Sequence, residues 1–246
     1  MATTAGKKPV RRADPSKRDR TAPPKPFVRT EPVKTEQMIE LPAKRMDQPS
    51  SKASQRNHRY DGSLRDEAPR PQTTMEGLAG LKTPFRPAGR VTPGNSSGLN
   101  DGATAALLAS EEKALELGLT IKAKMVTFAF AGVEPEIMGY GPVPSTIKAL
   151  KQAGLTIEDI GAFEINEAFA AVSVASMQSL GVAPDKVNVH GGAIAVGHPV
   201  GASGARIVGH LVRSLNQLGA GRKGAIGICG GGGQGVGIII ESLGGN

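Results

Sequence analysis

Residues 202–241, ASGARIVGHLVRSLNQLGAGRKGAIGICGGGGQGVGIIIE, decide the predicted fold. The stretch begins with a helical pattern over 202–218, which Gly219 ends, and continues with two short apolar runs at 225–229 and 236–241. A helix followed by two strands that a tight turn joins is typical of the end of a layered α/β domain. On this helix we expect Ala205, Val208, Leu211, Val212, Leu215 and Leu218 to face the core, and Arg206, Arg213 and Asn216 to face water.

The same alternation of strands and helices runs upstream as far as residue 121. Strand-like segments cover 122–132, 162–165 and 187–189, and helical patterns cover 144–153 and 167–180. The resulting order, β-α-β-α-β-α-β-β, predicts an α/β domain with one five-stranded sheet. We expect Ile147 and Leu150 to face inward, and Gly154 and Gly181 to end the two helices.

The predicted helix 167–180 has no clear polar face. A helix that is apolar nearly all round is normally covered on both sides, whereas one sheet covers a single side. We therefore expect a further element or a partner chain to pack on this helix. Its apolar residues are Phe169, Ala170, Val172, Val174, Ala175, Met177 and Leu180.

Residues 61–100 are rich in Pro, Gly, Ser and Thr and read as a loop region. One short helix is predicted from Thr74 to Leu81, with Thr73 or Thr74 as its N-cap and Glu76 just behind. A longer helix is predicted over 101–117, where Gly118 would end it.

The first 60 residues differ in composition from the rest of the 246-residue chain. They hold 15 Lys and Arg against 6 Asp and Glu, eight prolines and two aromatics, so they account for the net charge of +8. Such a segment buries too little apolar surface to offset its ordering entropy, and we expect a disordered tail. Its charges could contact nucleic acid, but no aromatics alternate with them for base stacking, so a solvated tail is favoured.

Secretion and membrane insertion are not indicated. No apolar run approaches the roughly 18–20 residues that a membrane helix needs, and the N-terminus lacks the apolar core of a secretory signal. Cys229 is the single cysteine, so an internal disulfide or a cysteine-based metal cluster is excluded. We expect a cytoplasmic chain with no membrane partner and no bound metal.

Two short motifs are set aside because their context is wrong. Residues 230–235 fit the dinucleotide pattern G-x-G-x-x-G, but a strand follows them where that site needs a helix. Residues 94–98 fit the G-x-S-x-G pattern around Ser96, but no hydrophobic strand precedes them, as a nucleophile elbow requires.

A third group of residues is more informative. Asn166 follows one predicted strand, Cys229 ends another, and His198 lies just ahead of the helix that begins near 202. Strand ends and helix N-termini are where ligands bind in α/β sheets, and glycine runs expose N–H groups that can stabilise an oxyanion. Together these residues suggest acyl chemistry, whereas His190 and His210 are read as structural and His58 as part of the tail.

The blocks that carry these residues resemble the thiolase family. They are DEAPRPQTT from Asp66, GNSSGLNDGA, IMGYGPVPSTIKAL, INEAFA, GGAIAVGHPVGASGAR and CGGGGQG. The resemblance covers roughly three-quarters of the chain and excludes residues 1–60. It implies a layered thiolase-like βαβαβαββ domain over 121–246 and a remnant of the loop region and N-terminal domain over 61–120.

The resemblance also implies an activity and a set of site residues. Thiolases convert acyl-CoA and acetyl-CoA to and from 3-oxoacyl-CoA and CoA, as in fatty acid β-oxidation, with coenzyme A thioesters as substrates and no permanently bound cofactor. His198 matches the histidine that assists the nucleophilic cysteine, and Cys229 matches the cysteine that moves the α-proton. Asn166 matches a residue that holds an oxyanion-hole water. Gly231 lies near a backbone N–H of a second oxyanion hole, and Ser97 matches a contact to the pantetheine arm.

The main departure from the family is the nucleophile. The family's acyl-accepting cysteine lies in an N-terminal half that has no counterpart here, and Cys229 cannot take both roles. We expect a thiolase C-terminal half that is inactive alone. The alternatives are one chain of a split thiolase and a non-catalytic binding module with a basic tail. The expected partners are acyl-CoA or CoA, and a second copy or another chain that covers helix 167–180; nucleic acid is disfavoured.

Overall fold

The computed structural model describes residues 70–244, and within them a sheet carries helices on both faces. The predicted tail over 1–60 lies outside the described residues. The strands are β1 Ala123–Gly132, β2 Ile160–Ile165, β3 Lys223–Gly230 and β4 Gln234–Ser242. The helices are α1 Met75–Ala79, α2 Glu111–Glu116, α3 Pro142–Ala153, α4 Ala170–Leu180, α5 Ala193–Val196 and α6 Val200–Leu218.

The sheet confirms the α/β fold class. Its strand order is β1-β4-β3-β2, with β4 antiparallel to both of its neighbours and β2 parallel to β3. The parallel pair needs a long crossover connection, which α4, α5 and α6 supply. The carboxyl ends of β2 and β3 therefore meet at one edge of the sheet.

The fifth strand, predicted over 187–189, is reduced to one isolated bridge between Val187 and Phe163. The cause is Asn188, whose backbone adopts a φ of +48° and leaves the strand conformation. Its side chain then bonds where a strand would pair: Oδ1 accepts from Ile165 N at 2.8 Å, and Nδ2 donates to Ile165 O at 2.9 Å. A side-chain amide has taken the place of a backbone ladder.

Two apolar clusters fill the layers on either side of the sheet. One lies under α3 and α4, and it contains Ala149 and Leu150 of α3 and Leu180 of α4, packed on Phe163 and Ile239. The other lies under α6 and consists of Ala162, Ile207, Leu211, Leu215, Ile226 and Ile240. Residues of one strand alternate between these clusters, as the period of two requires.

Helix α3 begins two residues earlier than predicted, at Pro142, where a proline is tolerated because its missing N–H has no helical partner. Gly154 ends it in the left-handed conformation, as expected. Leu150 is buried, but Ile147 is 51% exposed, so its predicted inward position was wrong. Val143, Thr146 and Ala149 define the inner face instead.

Helix α4 begins three residues later than predicted because Phe169, the residue before it, pairs with another segment in an extended conformation. Phe169 forms an isolated antiparallel bridge with Ser96, and Gly181 ends the helix as expected. One side is buried through Val172, while Val174 is 46% exposed, so no described element covers the other side.

The long helix predicted over 101–117 was wrong for its first ten residues. Only Glu111–Glu116 is helical, and the Ser110 hydroxyl caps it by accepting from Lys113 N at 3.2 Å. Residues 101–110 are exposed and form no regular structure, so their Ala and Leu side chains gain no burial that would stabilise a helix. The short helix near 74 is confirmed as α1, with Thr74 as the N-cap.

The orientation of α6 differs from the prediction at three residues. Leu211 and Leu215 are buried as expected, but Leu218 is 50% exposed at the helix end. Arg206 and Asn216 are partly buried rather than turned to water, and Arg213 alone of the three is exposed. None of the helices within residues 70–244 combines the length and the apolarity that a membrane span requires.

Candidate active site

The predicted site residues Asn166 and Cys229 lie at the same edge of the sheet. Asn166 follows β2 directly, and its N–H donates to Gly227 O of β3 at 3.0 Å. Cys229 is two residues further along β3, on the strand that neighbours Asn166. The parallel pairing of β2 and β3 thus places both side chains where ligands of α/β sheets bind.

His198 reaches the same edge from the loop between α5 and α6. Its Nε2 lies 3.3 Å from Asn166 Nδ2, and its backbone N–H donates to Asn100 Oδ1 at 3.1 Å. The preceding Gly197 has a φ of +91°, and a Cβ there would lie 2.6 Å from Asn100 Oδ1. Glycine is therefore required for the close approach that orients the histidine.

The other ring nitrogen of His198 is held by its own helix. Nδ1 lies 2.6 Å from Ser203 Oγ, and the Ser203 hydroxyl donates to Pro199 O at 3.0 Å. A hydroxyl has one proton and two lone pairs, so Ser203 Oγ can accept from Nδ1–H while it donates to Pro199 O. In that arrangement the neutral ring carries its proton on Nδ1, and the Nε2 lone pair lies at the sheet edge.

Burial changes the acid–base behaviour of both predicted proton-transfer groups. It lowers the pKa of His198, and the nearby Arg206 guanidinium lowers it further, so the neutral imidazole is favoured. Burial also raises the pKa of the Cys229 thiol, an effect that a backbone hydrogen bond only partly offsets. The site therefore holds a neutral imidazole and a neutral thiol at neutral pH.

Two charged side chains lie beneath this edge, between β2 and α6. Glu164 is 1% exposed, and burial raises its pKa to about 7, although Arg206 opposes the rise. Burial lowers the pKa of Arg206, while Glu164 and Glu167 act against that change. Arg206 Nη2 lies 3.5 Å from Asn166 Oδ1, so this buried charge contacts the site.

Glu167 braces the loop that leads to His198. Its Oε1 accepts from Asn188 Nδ2 at 2.8 Å, and its Oε2 accepts from Ile194 N at 3.1 Å. A Cβ on Gly192 would lie 2.2 Å from the Glu167 carboxyl carbon, so only glycine fits there. One carboxylate thus ties the end of β2 to the start of α5, next to the His198 loop.

Ser97 and His198 line one cavity of about 380 Å³. Ser97 is fixed there because its N–H and its hydroxyl both donate to Ala168 O at 3.2 Å. The remaining lining residues are mainly apolar: Pro84, Phe85, Thr92, Pro93, Ser96, Leu99, Ala168 and Phe169. An apolar cavity with a few fixed polar groups suits an elongated ligand with a reactive end.

Gly231 lies apart from this cavity, in the exposed turn between β3 and β4. The Gln234 side chain folds back over that turn, and its Oε1 accepts from Gly232 N at 3.0 Å. The described residues thus bring Asn166 and His198 into contact and place Cys229 on the adjoining strand, with Gly231 in the turn beyond it. Residues 70–244 contain no group of three or more His, Cys, Asp or Glu side chains placed to hold a metal ion.

Sequence reasoning missed Ser203, Arg206, Glu164 and Asn188. The available signal was spacing: Ser203 and Arg206 follow His198 by five and eight residues on the helix that the histidine precedes. Residues three apart on a helix share a face, so a polar pair directed at the sheet edge was readable. Neither His190, which contacts Gln217, nor the partly buried His210 touches the site.

The sequence matches two family descriptions. Residues 119–242 match "Thiolase, C-terminal domain", and residues 51–112 match "Thiolase, N-terminal domain". The second match begins at residue 51, so the expectation that the resemblance excludes residues 1–60 was wrong for the last ten of them. The chain is similar to the 3-ketoacyl-CoA thiolase of Aliivibrio salmonicida, with 54% identity over 71% of this chain and 46% of the relative. It is also similar to the acetyl-CoA acetyltransferase of Syntrophomonas wolfei, with 51% identity over 72% and 45%.

Solved structures give the same relationship. Human mitochondrial 3-ketoacyl-CoA thiolase in complex with CoA superposes with a TM-score of 0.69 and 47% identity, over 72% of this chain and 45% of that one. The acetyl-CoA acetyltransferase of Bacillus anthracis gives a TM-score of 0.69 and 48% identity over the same shares. The chain therefore spans about half the length of the relatives that it matches.

Proposed function

The chain is a member of the thiolase family, and we propose that it supplies the acid–base half of a thiolase-type acyltransferase. The reaction would join acyl-CoA and acetyl-CoA, or cleave 3-oxoacyl-CoA with CoA. One observation carries this proposal: His198 Nε2 lies 3.3 Å from Asn166 Nδ2, while Cys229 stands on the adjoining strand. Forming a carbon–carbon bond α to a thioester needs a base, a donor for the developing oxyanion and a group that moves the α-proton. This sheet edge offers an imidazole, an amide and a thiol for these tasks.

His198 is proposed as the base that activates the acyl-accepting thiol. With its proton on Nδ1 beside Ser203 Oγ, the ring would direct the Nε2 lone pair to the sheet edge beside Asn166 Nδ2, and Nε2 would accept the proton of the thiol. Burial and Arg206 lower its pKa and so favour the unprotonated ring that a base requires.

Cys229 is proposed as the group that moves the α-proton. In the cleavage direction, breaking the carbon–carbon bond leaves the electron pair on the α-carbon of the acetyl-CoA enolate, which must gain a proton. Because burial raises the thiol pKa, Cys229 holds that proton at neutral pH. In the synthetic direction the same sulfur would take the proton from acetyl-CoA.

The remaining predicted residues are proposed for binding. Asn166 would stabilise the thioester oxygen with its Nδ2, alone or through a water, and a backbone N–H near Gly231 would serve a second oxyanion. Ser97 would contact the pantetheine arm in the cavity that it shares with His198. Coenzyme A thioesters would be substrates, with no cofactor permanently bound.

The acyl-accepting cysteine is proposed to come from outside these 246 residues, because Cys229 is the single cysteine of the sequence. We propose that 121–246 is the thiolase C-terminal domain and 61–120 a remnant of the region before it. The exposed side of α4 would contact the polypeptide that supplies the cysteine, or a second copy. A cytoplasmic location stays a prediction, which cell fractionation tests.

Thiolysis of acetoacetyl-CoA by the purified chain tests the proposal. One sample contains the chain alone, and a second contains it covalently fused to the part of the A. salmonicida thiolase that the chain does not match. We expect no turnover from the chain alone and turnover from the fusion. In the fusion, Cys229→Ala and His198→Ala should abolish turnover, whereas His190→Ala, a control outside the cavity, should preserve it.

Each result has a distinct meaning. Turnover by the chain alone would overturn the external cysteine, since a nucleophile would then lie within the chain. Turnover in the fusion that survives Cys229→Ala would refute the role of that thiol. A folded fusion without turnover would contradict the acyltransferase proposal and favour the binding module.

A further inference from the structure

We propose that Arg206 is a positioning residue that fixes the orientation of the Asn166 amide and, through it, the proton position on His198. The inference deepens the proposed function, because His198 is the base in that reaction. It rests on four side chains in contact: Arg206, Asn166, His198 and Ser203.

The first step concerns the Asn166 amide, whose oxygen and nitrogen ends face opposite neighbours. Arg206 Nη2 lies 3.5 Å from one end of the amide, and His198 Nε2 lies 3.3 Å from the other. A guanidinium has five donors and no acceptor, so it accommodates only the oxygen end. The nitrogen end, a donor, must then face His198.

The second step concerns the imidazole ring. Because Asn166 Nδ2 donates, His198 Nε2 must accept, and the ring proton must lie on Nδ1. Ser203 Oγ, 2.6 Å from Nδ1, accepts a hydrogen bond from Nδ1–H and donates its own to Pro199 O at 3.0 Å. Each of these four hydrogen bonds then joins one donor to one acceptor, and the contact with Arg206 sets their common direction.

The third step concerns the partners of the buried Arg206 side chain. Its Nε and Nη1 have no hydrogen-bond partner among the described residues, so its charge lies in the interior without a full set of bonds. Such a charge destabilises the fold unless it is compensated, and Glu164 and Glu167 are the carboxylates near it. Among residues 70–244, the hydrogen bond of this guanidinium is the one from Nη2 to Asn166 Oδ1, so its orientation is coupled to that of the amide.

Nuclear magnetic resonance of the 246-residue chain tests the inference. Long-range nitrogen–proton spectra of the imidazole rings report which nitrogen carries the proton, and a His198→Gln variant assigns the signals of that ring. For the wild type we expect the Nδ1–H form of His198. For Arg206→Met we expect a mixture of the two neutral forms of the ring, because the Asn166 amide can then rotate and exchange the positions of its oxygen and nitrogen.

A titration of the same signals provides the second readout. The charged group that faces His198 is Arg206 on α6, and it lowers the His198 pKa, so Arg206→Met should raise that pKa. Arg213→Gln is the matched control, since Arg213 lies on the same helix and lowers the pKa of His210. The control should raise the His210 pKa and leave the proton of His198 on Nδ1.

Arg206→Lys separates position from charge and replaces Arg206→Met if the latter fails to fold. The shorter lysine retains the charge but loses the contact with Asn166, so the mixture should appear while the His198 pKa stays low. A folded Arg206→Met or Arg206→Lys variant that retains only the Nδ1–H form would overturn the inference. These spectra need no turnover, so a failure of the proposed acyltransferase activity would leave them unchanged and remains distinguishable.

Discussion

Replacing Glu164 by Gln should stabilise the protein at alkaline pH and change little at acid pH. Glu164 is 1% exposed, its Oε1 has no partner among the described residues, and burial raises its pKa from 4.5 to about 7. The charged groups that face it are Arg206, which opposes the rise, and Glu167, which adds to it. The net direction shows that the cost of burying the carboxylate exceeds the attraction of the guanidinium.

The sign and size of the effect follow from proton linkage. A carboxyl whose pKa is raised in the folded state contributes stability that is fully present below pH 4.5 and is lost as the pH rises through about 7. At about 1.4 kcal/mol for each pKa unit, the loss amounts to about 3 kcal/mol. Glutamine is neutral at every pH, so Glu164→Gln avoids this loss and should be about 3 kcal/mol more stable than the wild type near pH 8.

The difference in the free energy of unfolding between the two proteins is measured by urea unfolding, followed by circular dichroism. The measurement is repeated from about pH 4.5 to about pH 8, the range that linkage identifies. Glu158→Gln is the matched control, because Glu158 is an exposed carboxylate in the turn before β2. A Glu164→Gln protein that is less stable than the wild type at pH 8 would refute the reasoning. It would mean that ionised Glu164 gains more from Arg206 than its burial costs.

Three further outcomes follow from the described contacts. Asn188→Ala removes three side-chain hydrogen bonds and should lower the free energy of unfolding in urea by about 3 kcal/mol. Asn188→Gly should lower it less, because glycine adopts the φ of +48° without strain. Equal losses for the two variants would argue against backbone strain at this position. Leu211→Ala leaves a cavity at a fully buried position and should lower the free energy of unfolding by about 2–5 kcal/mol. Leu218 is half exposed, so Leu218→Ala should lower it by under about 1 kcal/mol. Similar values for the two variants would contradict the packing under α6. Alkylation of Cys229 by iodoacetamide, followed by mass spectrometry, should reach its half-maximal rate above pH 9.0, the ordinary thiol value, and a midpoint below that value would contradict the burial of the thiol.

Local signals in the sequence were sufficient for most of the fold. Gly154 and Gly181 end their helices in the left-handed conformation because a residue without a Cβ adopts it at little cost, and this preference is readable from one residue. The strand at 187–189 failed for a different reason. Asn188 competes with the backbone for the bonds of Ile165, and that competition depends on which residue lies opposite, 23 positions away.

In the candidate site too, some features were predictable from local sequence and others depended on distant contacts. Asn166 and Cys229 were placed together because each follows or ends a strand, and the ends of adjacent parallel strands meet. Arg206 was assigned to water because arginine on a helix is normally exposed. Its partners are Glu164 on β2 and Asn166 just after that strand, and these contacts exist only once the helix has packed on the sheet. Chemistry at the ends of elements is thus visible in a sequence, whereas the burial of a charge within an element depends on the partner that packing brings to it.

The two edges of the sheet differ in what they offer to another strand. Beyond β2, the Asn188 amide already occupies the N–H and C=O of Ile165, so an arriving chain cannot form ladder bonds with that residue. On β1, which has no outer neighbour within residues 70–244, Phe128 and Phe130 are more than half exposed. Lys148 of α3 donates from Nζ to Phe130 O at 3.1 Å, so a charged group already occupies one carbonyl of this edge. Of the two edges, β1 is therefore the one that leaves more of its backbone open to an arriving strand, and the charges of Lys148 and of Lys124 on β1 oppose such pairing.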